Sequence, residues 1–236
     1  MRGRALFACL AVLFAAPAAA AEGGVLAARY TEPTERYSHG VLGDAIEYGA
    51  LEMRTQNRKV LVRLPDDHVF EDLVPRLADI DGDGENEVIV VETDMARGAA
   101  LAIYDETGKR AETPHIGEPS RWLAPVGAAD LDGDGFVEIA YVDRPHLAKV
   151  LRVWRYRNGS LSEVAQSPGL SNHRIGEDFI SGGIRNCGSG PELVTANAGW
   201  TRIMATRLVS GDLQSRDLGD FQGRRSFARA LSCRTP

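Results

Sequence analysis

Two acidic segments with one spelling constrain this chain more than any other feature. D-I-D-G-D-G-E-N-E runs from Asp79 to Glu87, and D-L-D-G-D-G-F-V-E runs from Asp130 to Glu138, 51 residues further on. Each places carboxylates at loop positions 1, 3, 5 and 9 and a glycine at position 6, where the backbone must turn sharply. That turn aims Asp79, Asp81, Asp83 and Glu87 at one point, and Asp130, Asp132, Asp134 and Glu138 at another. Carboxylates this close repel one another unless a divalent ion neutralises them. Two calcium sites are therefore expected. An EF-hand is excluded, because its twelfth position would fall on Val90 or Tyr141 and a β-type run follows each loop.

The same spacing organises the rest of the chain. After the first loop come Val88–Asp94 and Ala100–Asp105, and after the second come Glu138–Asp143 and Lys149–Tyr156. These are β-rich runs separated by turn residues, with no sustained helical period. A third, altered copy spans Gly176–Gly190, where Gly188 and Gly190 match Gly82 and Gly84. Its three ligand positions hold Arg185, Cys187 and Ser189, so the bend is kept and the metal site is lost. Units of about 50 residues have the size of four-stranded propeller blades.

The expected fold is all-β. It is a small β-propeller of about four four-stranded blades, with repeats at roughly 37–72, 73–122, 123–175 and 176–223. The run 224–236 supplies a closing strand that removes the open sheet edges. An open array of β-sheet repeats is the alternative.

These loops, feeding directly into apolar strands, resemble the FG-GAP or VCBS-type repeats of secreted bacterial proteins and integrin-like propellers. The resemblance covers about residues 70–160 well and 176–210 less well. It implies a calcium-binding propeller, with the carbonyls of Glu85 and Phe136 added to the two ligand sets. Position 9 in that family is more often Asp, and Glu is one methylene longer.

The N-terminus gives the expected location. Arg2 and Arg4 precede the apolar run Ala5–Ala16 and a small-residue stretch ending at Ala21. Residues 1–21 thus read as a signal peptide, and residues 22–236 as one periplasmic or secreted domain. The apolar run is shorter than the roughly 20 residues a membrane helix needs, so no transmembrane segment is expected after cleavage. Losing Arg2 and Arg4 moves the formal charge from −6 to −8, and there is no basic face for nucleic acid. Cleavage also removes Cys9 and leaves Cys187 and Cys233. Laying Ala230–Cys233 over Ile184–Cys187 puts both thiols at one place in the repeat, which predicts a disulfide in an oxidising compartment.

No catalytic motif stands out. His39, Asp44 and Glu47, with His173, Glu177 and Asp178, are candidates to meet at the mouth of a central channel. Of these, His39, Asp44, His173 and Asp178 would suit acid–base work if they shared an open pocket. The plainer reading is that they hold neighbouring backbone amides in turns. Trp122, Trp154 and Trp200 read as blade core or as sugar platforms. Three functions follow. The first is a non-catalytic, calcium-stabilised binding or scaffold module of the bacterial cell envelope, with a protein or glycan partner. The second is a lectin-like propeller, and the third is a hydrolase using the His and acid cluster.

Overall fold

The computed structural model describes residues 23–236, so the signal-peptide segment and Cys9 lie outside the described residues. Seventeen strands and one helix are present among those residues. The first unit is made of β1 (Ala27–Thr34), β2 (Glu47–Arg54) and β3 (Lys59–Arg63). β1 lies ahead of the repeat start at residue 37 and pairs antiparallel with β2.

Three fuller meanders follow, and each is antiparallel throughout. The first has β4 (His68–Phe70), β5 (Arg76–Ala78), β6 (Glu87–Asp94), β7 (Gly98–Asp105) and β8 (Gly108–Glu112). In it, β4 and β5 act as two halves of an innermost strand, both paired to β6. The second has β9 (Leu123–Ala129), β10 (Glu138–Asp143), β11 (Val150–Arg157) and β12 (Ser160–Pro168). The third has β13 (Leu170–Ser171), β14 (Gly183–Asn186), β15 (Pro191–Asn197), β16 (Arg202–Val209) and β17 (Asp212–Asp220), with β13 and β14 again sharing one partner, β15. Pairing thus starts the meanders at His68, Leu123 and Leu170. β4 also touches β2 through Tyr48 and Phe70, which fuses the first unit and the first meander into one eight-stranded sheet.

The central strands show why the sheets must stack. Side chains alternate across a strand, and on β6 both sets are apolar. Val88 and Val90 enter a core with Leu51, Met53 and Phe70, while Ile89 and Val91 enter one with Leu123, Ile139 and Tyr141. β10 repeats the pattern, sending Ile139 and Tyr141 one way and Ala140 and Val142 the other. On β15, Leu193 faces the second meander, and Val194 and Ala196 face Phe227 and Ala230. Strands buried on both faces read as continuous apolar runs.

The C-terminal run corrects an expectation. Residues 224–231 form a helix, α1 (Arg224–Leu231), in place of the closing strand assigned to 224–236. A two-residue period would place Arg229 on the same face as Phe227 and Leu231. The helical period instead gathers Ser226, Phe227, Ala230 and Leu231 against β15 and leaves Arg225 and Arg229 exposed. Ala, Arg and Leu are also good helix formers. The last sheet is therefore covered by a helix, and no strand from this run completes a fourth blade.

Cys187 and Cys233 are bonded to each other, with Cα atoms 5.7 Å apart. The bond ties the end of α1 to the loop between β14 and β15. Arg185 Nη1 adds a hydrogen bond to the Ala230 carbonyl, 2.8 Å. The bridge joins residues 46 apart. Replacing both cysteines by serine should therefore lower stability by roughly 4 kcal/mol on the chain-entropy account. Urea unfolding with and without reductant measures this, and superimposable curves would contradict it.

Candidate metal centre

Both acid loops occupy the hairpin between an innermost strand and the buried strand beside it, β5 to β6 and β9 to β10. Their hydrogen bonding is nearly identical. Asp79 accepts from the N–H groups of Gly82 at 2.8 Å and Gly84 at 3.0 Å. Asp130 accepts from Gly133 at 2.7 Å and Gly135 at 3.0 Å. Gly82 and Gly133 have φ of 80° and 83°, a region that L side chains rarely enter. Glu87 closes its loop by accepting from Ile80 N–H at 2.9 Å, and Glu138 does so from Leu131 N–H at 2.8 Å. One carboxylate oxygen from each of Asp79, Asp81 and Glu87 falls within a 4.8 Å group, and Asp130, Asp132 and Glu138 form a second.

Asp83 and Asp134 lie outside those groups. Each accepts the N–H two residues on, from Glu85 at 2.8 Å and Phe136 at 3.0 Å. The Phe136 ring packs beneath the Arg157 guanidinium, 4.5 Å away. Three convergent oxygens, with a fourth carboxylate beside them, fit a hard cation. Calcium takes six to eight oxygens, so backbone carbonyls or water would have to supply the remainder.

The charge around the loops differs, and the sequence comparison missed this. Arg155 on β11 stands opposite Glu138 and pairs with three acids of the second loop. It reaches Glu138 at 2.5 Å, Asp132 at 2.6 Å and Asp134 at 2.9 Å. The strand register puts Tyr104 opposite Val88, so the corresponding place in the first meander is Asp105. Among the described residues, no ion pair reaches Asp79, Asp81, Asp83 or Glu87. In the third loop, Arg185 is buried and bonds Glu192 at 2.7 Å, where Arg216 joins it at 2.8 Å. Strand pairing sets Arg155 over the loop, and spacing along the chain does not give that pairing.

Burial pushes Glu87 up to about 7; the Ile80 N–H works against this, and Asp81, Asp83 and Asp79 add repulsion. Glu138 is also raised by burial, but the Arg155 guanidinium pulls it back.

The His and acid candidates are dispersed into turns and pairs. His39 Nδ1 lies 2.5 Å from Glu71, a buried carboxyl that also accepts from Thr93. Asp44 accepts from the N–H of Ile46 within its own turn. His173 is fully buried and its Nε2 donates to the Glu177 carbonyl at 2.9 Å. Its Nδ1 therefore accepts from His146 Nε2 at 2.7 Å. Burial, then the charges of His173 and His39, lower His146 to about 4. Asp178 lies against Gly43. A small cavity of about 60 Å³ is lined by His39, Trp122, Arg144 and His146 but not by His173, Asp44 or Asp178. Glu47 is buried and raised to about 9 by desolvation, then by Glu71, Asp44 and Asp72. Trp122 and Trp154 are core residues. Trp200 meets Phe221 and Phe227 edge to face.

The acid cluster has a pH signature in calcium-free protein. The folded chain keeps a proton on Glu87 up to about pH 7, whereas the unfolded chain releases it near 4.5. Stability therefore falls as pH rises from about 4.5 to about 7. Glu87→Gln keeps the acceptor for Ile80 and should remove that component of the slope. Urea midpoints across this range would show it, and parallel profiles for the two proteins would contradict it.

Comparison with known proteins agrees with the loops. No curated protein matches the chain. Among solved structures, a crystal structure of the rhamnogalacturonan lyase YesW is similar over 78% of this chain, with 14% sequence identity and a TM-score of 0.44. The chain spans 44% of that structure's length. Residues 79–141, which run from the first aspartate of the first loop through the second loop into β10, match the family model described as FG-GAP-like repeat. The acid loops and the strands they feed are thus similar to an FG-GAP-like repeat.

Proposed function

We propose that this chain is a non-catalytic, calcium-stabilised binding or scaffold module of the bacterial cell envelope, periplasmic or secreted. The observation that carries the reading is the pair of acid hairpins, in which three carboxylate oxygens converge beside a buried strand. No ion pair among the described residues reaches the acids of the first, although Arg110 and Arg157 line one cavity with Asp81 and Asp83. A bound calcium ion would relieve the repulsion that adds to the effect of burial on Glu87 and would fix the hairpin between the two strands. An ion held there stiffens the loop. It does not place a reactive water against a substrate.

Other features favour the same reading. The disulfide suits an oxidising compartment, and no helix among the described residues is long and apolar enough to cross a membrane. A hydrolase would need His39, Asp44, His173 and Asp178 in one open pocket, and these side chains are engaged in separate contacts. A lectin-like reading would need exposed aromatic platforms, whereas Trp122 and Trp154 are in the core. The partner is a protein or glycan of the envelope. Pull-down from envelope extract and glycan arrays, with and without chelator, would identify it. Capture that ignores chelator would separate binding from calcium.

Calorimetry should find two calcium ions per chain. At a hundredfold excess over the dissociation constant, each should stabilise the fold by about 2.7 kcal/mol. An unchanged melting temperature in EDTA would rule this out. The loops should also be unequal, the second being weaker because Arg155 competes for Asp132, Asp134 and Glu138. Arg155→Met should tighten one of the two sites roughly fivefold, equivalent to losing a competing pair of about 1 kcal/mol. Equal affinities in the parent protein, unchanged by the substitution, would contradict the competition.

A further inference from the structure

A different cluster, on the same sheet as the first acid loop, has the chemistry of another class of ion. We infer that His68, Asp94 and His115 form a site for a transition-metal ion of the zinc type. The inference does not depend on calcium or on the module's partner.

The backbone brings these three residues together. They are separated by 26 and 21 positions in the chain, so no local motif links them. The register of β4 on β6 sets His68 opposite Asp94. The β6–β7 hairpin sets Asp94 opposite Gly98, and His115 Nδ1 bonds the Gly98 carbonyl at 2.7 Å. The segment carrying His115 is stitched to that hairpin by bonds from Ile116 N–H to the Ala99 carbonyl and from Gly117 N–H to the Arg97 carbonyl. Gly98 has φ of 78°, and a Cβ there would stand 2.4 Å from the Glu118 carbonyl oxygen. The close approach of the two segments therefore needs glycine at this position.

The tautomers follow from the partners. A carbonyl oxygen only accepts, so His115 Nδ1 carries the hydrogen and Nε2 keeps the lone pair. His68 Nδ1 lies 2.7 Å from the Asp67 carboxylate, which places its hydrogen on Nδ1 as well. Histidines that ligate metals are characteristically held this way, with the second ring nitrogen bonded to a carboxylate or a backbone carbonyl. Asp94 is fixed too. Its Oδ1 accepts from the N–H groups of Ala96 and Arg97, and its Oδ2 from Arg97 Nε at 2.5 Å.

The distances suit an ion better than a direct bond. His68 Nε2 and Asp94 Oδ2 are 3.8 Å apart, too far for a hydrogen bond. Two ligands at zinc's bond lengths and tetrahedral angle would stand about 3.4 Å apart. One ligand atom from each of the three residues falls within 4.8 Å of the others. The rings of His68 and His115 meet edge to face at 6.2 Å, which explains their contact but not the carboxylate beside them. Two imidazoles and a carboxylate favour zinc, copper or nickel over calcium, whose ligands are oxygens. The His68 and Asp94 side chains are 16% and 12% exposed, so an ion can enter and water can take the fourth position.

The test is zinc titration of the full chain, stripped with EDTA and then saturated with calcium so that the acid loops are filled. One zinc equivalent is expected. His68→Ala combined with His115→Ala should weaken binding at least a hundredfold, with circular dichroism showing an intact fold. Asp67→Asn, at an exposed side chain that bonds His68 Nδ1, should weaken it roughly tenfold. His146→Ala should leave it unchanged. X-ray absorption of zinc-loaded parent protein covers the case in which the double variant fails to fold, and should show two imidazole nitrogens. Absence of binding, retention of zinc by the folded double variant, loss of zinc in His146→Ala, or a shell of oxygen alone would each overturn the assignment.

Discussion

β6, β10 and β15 are buried on both faces, and the rest of the molecule follows from that. Each must be covered twice, so the sheets stack in sequence order and share an apolar layer with each neighbour. The first unit covers one side of the first meander, and α1 covers the far side of the third. The hairpins leading into these strands consequently lie at corresponding places. An acid loop ahead of such a strand has its last carboxylate drawn into the buried layer, as with Glu87 at 7% and Glu138 at 0% exposure. The repulsion among the acids is then expressed where water screens it least.

The three hairpins meet this repulsion in three ways. The first has no ion pair to its acids among the described residues, and Arg110 and Arg157 only share a cavity with Asp81 and Asp83. The second supplies Arg155 from the neighbouring strand. The third has replaced the leading aspartate by Arg185, whose guanidinium bonds Glu192 and reaches across to the α1 carbonyl of Ala230. The acid charge not met by an ion pair thus declines along the chain. Where it is lost, the disulfide and the helix contact hold the loop.

The inner ends of the meanders are joined by polar bonds. Trp122 Nε1 donates to the Glu71 carbonyl, and Asn172 donates to the carbonyls of Ala124 and Pro125. His39, His146 and His173 belong to this seam. Their short contacts are of the kind that fix neighbouring sheets in orientation, which explains why polar residues gather there.

Much was legible in the sequence because it depended on local spacing. Gly84 and Gly135 announced the sharp turns, and apolar runs bounded by turn residues announced strands. The cysteine pairing was also legible, although through a strand equivalence that the structure replaces with a helix. At 224–231, alternation and helical period fit the residues comparably, and the helix wins because it leaves Arg229 exposed where a strand would bury it beside Phe227. β1 went unassigned because its residues are only partly buried and carry weak patterning. Strand register was beyond reach, and register decided the remaining features. It set Arg155 over the second loop, left Asp105 at the matching place in the first, and brought His68 to Asp94. Spacing within a loop is a property of the chain alone. Which side chain a strand meets across a sheet depends on hairpin lengths, bulges and the burial of both faces at once, and only the folded protein satisfies all of these together.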